Sequence, residues 1–350
     1  MVTAWIVAFS DAISRTRHEW VASGKNRTLW LVILGFTGWL SSVVYFVAIR
    51  PELENTIHRV PPGERPRIDA SVLDDVDPAP GSPKPDPILV VDGVTRQFGG
   101  LKAVDVDHLE IQRGLITGLI GPNGAGKTTL FNLLTGFDTP NAGEWKFNGM
   151  DMSGAVAHLM AERGMVRTFQ LTKALARMST LDNMMLGATH QKGELFLGAL
   201  TPPVWKGQDQ EIRERAMGLL DRFGIAHMAD EYAGTMSGGQ RKLLEMARAL
   251  MTEPELVMLD EPMAGVNPAL TQSLLEHVKE LREEGMSVIF VEHDMDVVRD
   301  ISDWVVVMAE GAIIAEGSHE SVTSNRQVID AYLGSSHDDP VATATGGDDG

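Results

Sequence analysis

Apolar positions follow three different patterns along the chain. From Thr28 to Ile49 runs a stretch of 22 residues without a charge. From Ile88 onward, short apolar runs (Ile88–Val91, Leu115–Ile120, Leu256–Leu259, Ser287–Val291) alternate with stretches of helical period. Strands separated by helices predict a mostly parallel sheet in an α/β unit. Pro268 to Glu284 predicts a helix: proline suits a first turn, and Leu274, Leu275, Val278 and Leu281 share one face. Trp304–Met308 and Ala312–Ile314, separated at Glu310-Gly311, predict a hairpin. Between the first two regimes, residues 50–87 are rich in Pro and Asp and poor in large apolar groups. Such a stretch cannot bury enough surface to offset ordering, which predicts a disordered linker. Residues 335–350 carry four Asp and no basic residue and predict a disordered acidic tail. The chain contains no internal repeat.

As a helix, the 28–49 run would be about 33 Å long at 1.5 Å per residue, matching a hydrocarbon layer of about 30 Å. Arg27 and Arg50 bracket it, and Trp20, Trp30 and Tyr45 lie near its ends, where amphipathic rings favour the interface. One transmembrane helix over 28–49 is therefore expected, after an amino-terminal segment 1–27. A buried helix of a soluble protein and a mis-assigned start codon are the competing readings. A cleaved leader fits poorly, because Arg50-Pro51 follows where small residues are needed. Lys and Arg tie at four on each side (Arg15, Arg17, Lys25, Arg27 against Arg50, Arg59, Arg65, Arg67). Charge alone therefore leaves the orientation open.

Composition narrows the chemistry. The 350 residues carry a formal charge of −18, which repels phosphate backbones and argues against nucleic acid as a partner. There is no cysteine, so disulfides, thiolate catalysis and cysteine-ligated metals are excluded.

Gly121-Pro122-Asn123-Gly124-Ala125-Gly126-Lys127-Thr128-Thr129 fits G-x-x-x-x-G-K-[ST] between a predicted strand and a predicted helix. The glycines let backbone N–H groups turn inward around an oxyanion, and the helix N-terminus adds its positive end. Lys127 is placed to reach the β- and γ-phosphates of a nucleotide, and the Thr128 hydroxyl to bind Mg²⁺. A second apolar strand ends in Asp260-Glu261. Asp260 can enter the Mg²⁺ shell, and Glu261 can act as general base on the attacking water. ATP and Mg²⁺ are the expected ligands.

With these motifs in this order, the sequence resembles an ABC-transporter ATP-binding subunit. Ser237-Gly238-Gly239-Gln240 resembles the family signature, Gln170 in Arg167-Thr168-Phe169-Gln170 the Q-loop, and His293 the switch histidine. Phe98 fits the aromatic that stacks on adenine. The resemblance implies a RecA-like P-loop core over 88–334, with an antiparallel β subdomain and a helical subdomain at about 171–250. It implies that Ser237–Gln240 contact the γ-phosphate held by a second ABC subunit, homo- or heterodimeric. Gln170 is then a Mg²⁺ ligand beside Thr128 and Asp260, and Glu261, His293 and Gln170 serve hydrolysis. Gln97–Val104, Val166–Gln170, Ala264–Pro268 and Ala331–Gly334 resemble the ATPases of branched-chain amino-acid importers. That subfamily implies two permease subunits, a solute-binding protein acting indirectly, and a place at the cytoplasmic side of the cell (inner) membrane. ATPases of urea or amide import and of lipopolysaccharide export are the nearest alternatives.

Overall fold

The computed structural model describes residues 8, 11–12, 27–37, 44–45, 64–168, 176–189 and 202–335. The chain divides into two compact units, Met1–Arg65 and Pro66–Gly350.

In the first unit, α1 (Arg27–Thr37) is 11 residues long. Ala8, Ala12, Leu34 and Tyr45 are buried together, and Tyr45 Oη donates to Asp11 Oδ2 at 2.7 Å. The single spanning helix expected over 28–49 finds no support among the described residues, which cover only part of that run. Among the described residues no helix is long and apolar enough to cross a membrane. Leu34 of α1 is buried with residues on both sides in sequence, rather than standing on a lone, uniformly apolar rod. Residues 38–43 and 46–49 of the run lie outside the described residues.

The second unit contains two sheets. β1 (Pro87–Phe98), β2 (Leu101–Gln112), β4 (Ala142–Phe147) and β5 (Met150–Asp151) form an antiparallel sheet in the order β2-β1-β4-β5. The other sheet takes β3 (Ile116–Ile120), β6 (Met165–Arg167), β7 (Leu256–Asp260), β8 (Ser287–Val291), β9 (Trp304–Ala309) and β10 (Ala312–Gly317). Its order is β10-β9-β3-β8-β7-β6, parallel throughout except for the β9–β10 hairpin. The crossovers carry α2 (Lys127–Leu134), α3 (Ala157–Glu162), α4 (Thr180–Met185), α5 (Pro202–Arg222), α6 (Gly238–Leu250), α7 (Pro268–Glu283) and α8 (Met295–Ile301). The short helices α9 (His319–Thr323) and α10 (Arg326–Ser335) follow the hairpin.

Strand alternation divides the core in two. Leu256 and Met258 of β7 pack with Leu89 and Val91 of β1 and Phe131 of α2. Val257 and Leu259 of the same strand pack with Leu244 of α6 and with Leu274 and Val278 of α7. Successive side chains point to opposite faces, so a strand buried on both sides has to be apolar throughout. For this reason LVML and SVIFV are unbroken runs. The face expected of the 268–284 helix is the buried one: Leu274, Leu275, Val278 and Leu281 are its buried residues.

The Pro- and Asp-rich segment departs from the expected linker from Pro66 on. Leu73, in a 3₁₀ turn over Ala70–Leu73, is buried in the core between the two sheets. Glu316 of β10, fully buried, accepts from Ser82 N at 2.8 Å, Lys84 Nζ at 3.0 Å and Trp304 Nε1 at 2.9 Å. The Lys84 ammonium also lies 5.0 Å from the centre of the Trp304 ring. Low average hydrophobicity does not prevent ordering when a few residues have partners already fixed in the sheet. Removing one member of a buried ion pair costs about 3–5 kcal/mol, because the other charge stays behind. Lys84→Met should lower stability by about that much, read from urea unfolding midpoints, and Lys84→Met with Glu316→Leu should recover most of the loss.

Candidate functional site

The phosphate-loop motif joins β3 to α2. The glycines at its two ends are required by close backbone approach. At Gly121 (φ +149°) a Cβ would fall on the carbonyl of Met308, and at Gly126 (φ +100°) on that of Ala103. The turn of the β9–β10 hairpin fixes the loop from outside: Gly311 N donates to Ala125 O at 3.0 Å, and Asp105 N of β2 donates to Gly311 O at 2.8 Å. Tyr332 of α10 reaches the same place, its phenol oxygen accepting from the N–H of Gly121. Asn123, Gly124 and Thr128 remain exposed along the rim.

Lys127 is buried at the first position of α2, and its Nζ donates to Gly121 O at 2.6 Å and Pro122 O at 2.9 Å. Burial pulls its ammonium below the ordinary lysine range, while the carboxylates of Glu261 and Asp260 oppose the shift. A desolvated cation held by two carbonyl dipoles inside a backbone cup has an unmet demand for negative charge, which a phosphate fits.

The two carboxylates stand at the C-terminal end of β7. Asp260 is paired with Arg167 of β6. Glu261 has φ +47°, a left-handed conformation that costs a non-glycine residue of the order of 1 kcal/mol or more. Three contacts hold it there. Glu261 N donates to Val291 O at 3.0 Å, and Lys242 Nζ donates to the carbonyls of Glu261 and Pro262, both at 3.0 Å. The side chain then meets His293 Nε2 at 2.8 Å through Oε1. Beside them, Glu292 accepts from Met263 N at 2.8 Å and from His293 N at 3.3 Å, and burial pushes its carboxyl above the ordinary range. A cavity of about 400 Å³ is lined by Thr128, Arg167, Lys242, Glu245, Asp260 and Glu261.

The structure thus brings together Lys127, Thr128, Asp260, Glu261 and His293. Gln170 lies outside the described residues. A hard divalent cation would find hydroxyl and carboxylate oxygens at Thr128 and Asp260, the donor types such an ion takes. Ser237 and Gln240 form a capping box at the start of α6: Gln240 N donates to Ser237 Oγ at 3.3 Å, and Ser237 N donates to Gln240 Oε1 at 2.9 Å. Ser237 and Gly238 are exposed, so the helix start faces outward. Phe98 is 49% exposed near the β1–β2 turn, with the Arg96 guanidinium 4.6 Å from its ring centre. It is therefore a surface platform and not a core residue. Arg167 stands inside the quoted Arg167–Gln170 motif without a role of its own, and Lys242, Glu245 and Glu292 lie next to or near the other motifs. A charged residue in an otherwise apolar helix or strand end was the available signal.

Comparison with known proteins agrees with this geometry. A family model described as ABC transporter matches residues 104–264. A second, described as branched-chain amino acid ATP-binding cassette transporter, matches residues 312–338. The chain is 40% identical over 250 residues to the high-affinity branched-chain amino acid transport ATP-binding protein BraF of Pseudomonas aeruginosa, covering 71% of this chain and 98% of that protein. It is 41% identical over 251 residues to LivG of Escherichia coli K12, another high-affinity branched-chain amino acid transport ATP-binding protein, with coverage of 71% and 98%. Among solved structures, a nucleotide-free ATP-binding cassette from an ABC transporter matches with a TM-score of 0.62 and 36% identity, covering 70% of this chain and 98% of that one. The ADP conformation of an ATP-binding cassette of an ABC transporter matches with a TM-score of 0.62 and 37% identity, covering 71% and 99%.

Glu245 generates a pH prediction. It is half-buried, its Oε1 has no hydrogen-bond partner among the described residues, and burial raises its carboxyl to about 7, with Arg248 and Lys242 opposing. A raised folded-state value means that the native chain binds the proton more tightly than the unfolded chain does. Stability from this group is therefore present below its unfolded value and is lost as pH rises toward 7. Glu245→Gln should narrow the difference in urea midpoint between pH 5 and pH 8, mainly by raising the midpoint at pH 8.

Proposed function

The chain belongs to the ABC transporter ATP-binding subunits, ATPases whose hydrolysis is coupled to transport, and we propose that it powers an importer of branched-chain amino acids through separate permease subunits. The observation that carries the catalytic part is the convergence of a desolvated Lys127 in a backbone cup with the strained, His293-bound Glu261 at the end of the next strand but one. The importer assignment is supported by the likeness to BraF and LivG over nearly their whole length and by the match at residues 312–338.

Bound nucleotide would exchange Lys127 from the carbonyls of Gly121 and Pro122 to its β- and γ-phosphate oxygens. The inward N–H groups of the loop and the start of α2 would hold the remaining charge. Phe98 would stack on the adenine. Thr128 and Asp260, with Gln170, would hold Mg²⁺, which when bound supplies neutralisation of the charge shared between β- and γ-oxygens. Glu261 takes the proton from the attacking water, and His293, hydrogen-bonded to it, holds its carboxylate in line and meets the γ-phosphate.

Ser237–Gln240 face outward, and their exposed helix start suits the phosphate of a second subunit better than that of their own. Two such chains, or this one and a paralogue, would seal two nucleotides between them. Closure and reopening would then rock two permease subunits between inward- and outward-facing states on the cytoplasmic side of the cell membrane, and a solute-binding protein would act on the permeases and not on this chain.

In the complex with its permeases, Glu261→Gln should leave ATP affinity within about threefold and lower turnover at least a hundredfold, trapping a closed dimer. Normal turnover in this variant removes Glu261 from its role. Stimulation of ATPase activity by leucine, isoleucine or valine with the binding protein present supports the importer reading. Stimulation by urea or an amide, and by none of these amino acids, replaces it.

A further inference from the structure

One buried guanidinium links three elements of the nucleotide site. Arg167 ends β6, three positions before Gln170. Its side chain is 6% exposed. One terminal nitrogen is paired with Oδ2 of Asp260 at the end of β7. The other donates to Asn132 Oδ1 at 2.6 Å, and the guanidinium carbon lies 5.5 Å from the centre of the Phe131 ring. Asn132 and Phe131 belong to α2, the helix whose first turn presents Lys127 and Thr128. The parallel register, Arg167 opposite Met258, places the guanidinium where it can span from its own strand to the tip of the next.

This geometry is more than neutralisation of a partly buried acid. A carboxylate has two oxygens and about four acceptor sites, so occupying Oδ2 leaves Oδ1 for another ligand. A guanidinium is a rigid planar fork, and this one is fixed on its far side by Asn132 and by an aromatic face. A carboxylate bonded to a part fixed in this way has one side-chain orientation. Carboxylates that ligate metals depend on such partners, and losing the partner typically costs 10–100-fold in metal affinity.

We propose that Arg167 is a positioning residue for the metal–nucleotide site, fixing the Asp260 carboxylate by one oxygen so that the other is presented to the divalent ion beside Thr128. The proposal rests on the ATPase reading above. It adds that the strand leading into the Gln170 loop and the helix leading out of the phosphate loop are tied to the metal ligand through one side chain.

The test uses the full chain with the non-hydrolysable analogue AMP-PNP and Mn²⁺ as a paramagnetic probe of the metal. Free Mn²⁺ is measured by electron paramagnetic resonance during titration, and analogue binding is measured separately in EDTA. Arg167→Met should weaken Mn²⁺ binding 10–100-fold in the presence of the analogue while changing metal-free analogue affinity by less than about threefold. Arg167→Lys keeps the charge without the fork, and should restore the thermal midpoint but only part of the Mn²⁺ affinity. Asn132→Ala loosens the guanidinium without removing it, and should weaken Mn²⁺ binding by a smaller factor. It serves where Arg167→Met does not fold. Unchanged or tighter Mn²⁺ binding in the Met variant, or in Asn132→Ala where that variant stands in, overturns the proposal, tighter binding marking Arg167 as a competitor of the ion. Failure of the unmodified chain to bind Mn²⁺ with the analogue removes the ATPase reading itself and is seen before any variant is made.

Discussion

Two positions where no side chain fits determine where a phosphate can sit. Gly121 lies against the carbonyl of Met308 and Gly126 against that of Ala103. The loop between them is therefore clamped by β9 on one side and β2 on the other, elements from different sheets. Clamping fixes the directions of its N–H groups before any ligand arrives, and a preorganised set of donors binds charge without reorganisation at the moment of binding. Lys127 follows from the same constraint. It is held inside the cup by its place at the head of α2, it loses water there, and the carbonyl oxygens of Gly121 and Pro122 accept from its ammonium. The carboxylates of Glu261 and Asp260 act electrostatically on that desolvated ammonium.

The acidic side of the site is balanced with similar economy. Asp260, Glu261 and Glu292 lie within a few residues of two neighbouring strand ends, and together they would repel one another and the phosphates. Each has a dedicated partner: Arg167 for Asp260, His293 for Glu261, and the N–H groups of Met263 and His293 for Glu292. The Glu261 backbone is strained, and the strain is held by Lys242 from α6, the helix that begins with the signature residues. A shift of that helix acts directly on the backbone of Glu261. The helix that starts at Ser237–Gly238 and the backbone of Glu261 are linked through one lysine side chain, that of Lys242.

How much of this was legible beforehand depends on the distance over which each feature is encoded. The strands at Leu256–Asp260 and Ser287–Val291, the helix from Pro268 and the hairpin at Glu310-Gly311 are encoded locally, by period and turn chemistry, and the structure places them where the pattern does. Local composition misled at residues 66–87, because the partner that orders them, Glu316, lies more than two hundred positions away. Of the uncharged run at 28–49, the described residues show a helix over Arg27–Thr37, with Leu34 buried beside Ala8, Ala12 and Tyr45. Motif spacing pointed to Lys127, Thr128, Asp260 and Glu261, and the family resemblance to His293, and the structure brings these five residues together. The residues that orient them (Arg167, Lys242, Glu292) occupy unremarkable positions, and only the tertiary contact gives them a role.

The β9–β10 hairpin and the helices after it bear a heavier share of the architecture than their place at the sheet edge suggests. Its turn donates to the phosphate loop through Gly311, its second strand supplies the Glu316 that anchors residues 82–84, and α10 behind it brings Tyr332 to the N–H of Gly121. Tyr332 is held above its ordinary pKa by burial, so at neutral pH its oxygen is a neutral acceptor and adds no negative charge to a loop that has to receive phosphate. A carboxylate in that place would compete with the nucleotide; a phenol orients the Gly121 amide without doing so. The same stretch, residues 312–338, is matched by the narrower of the two family models. Glu316 and Tyr332, the two side chains through which this region reaches residues 82–84 and the phosphate loop, both lie within that stretch.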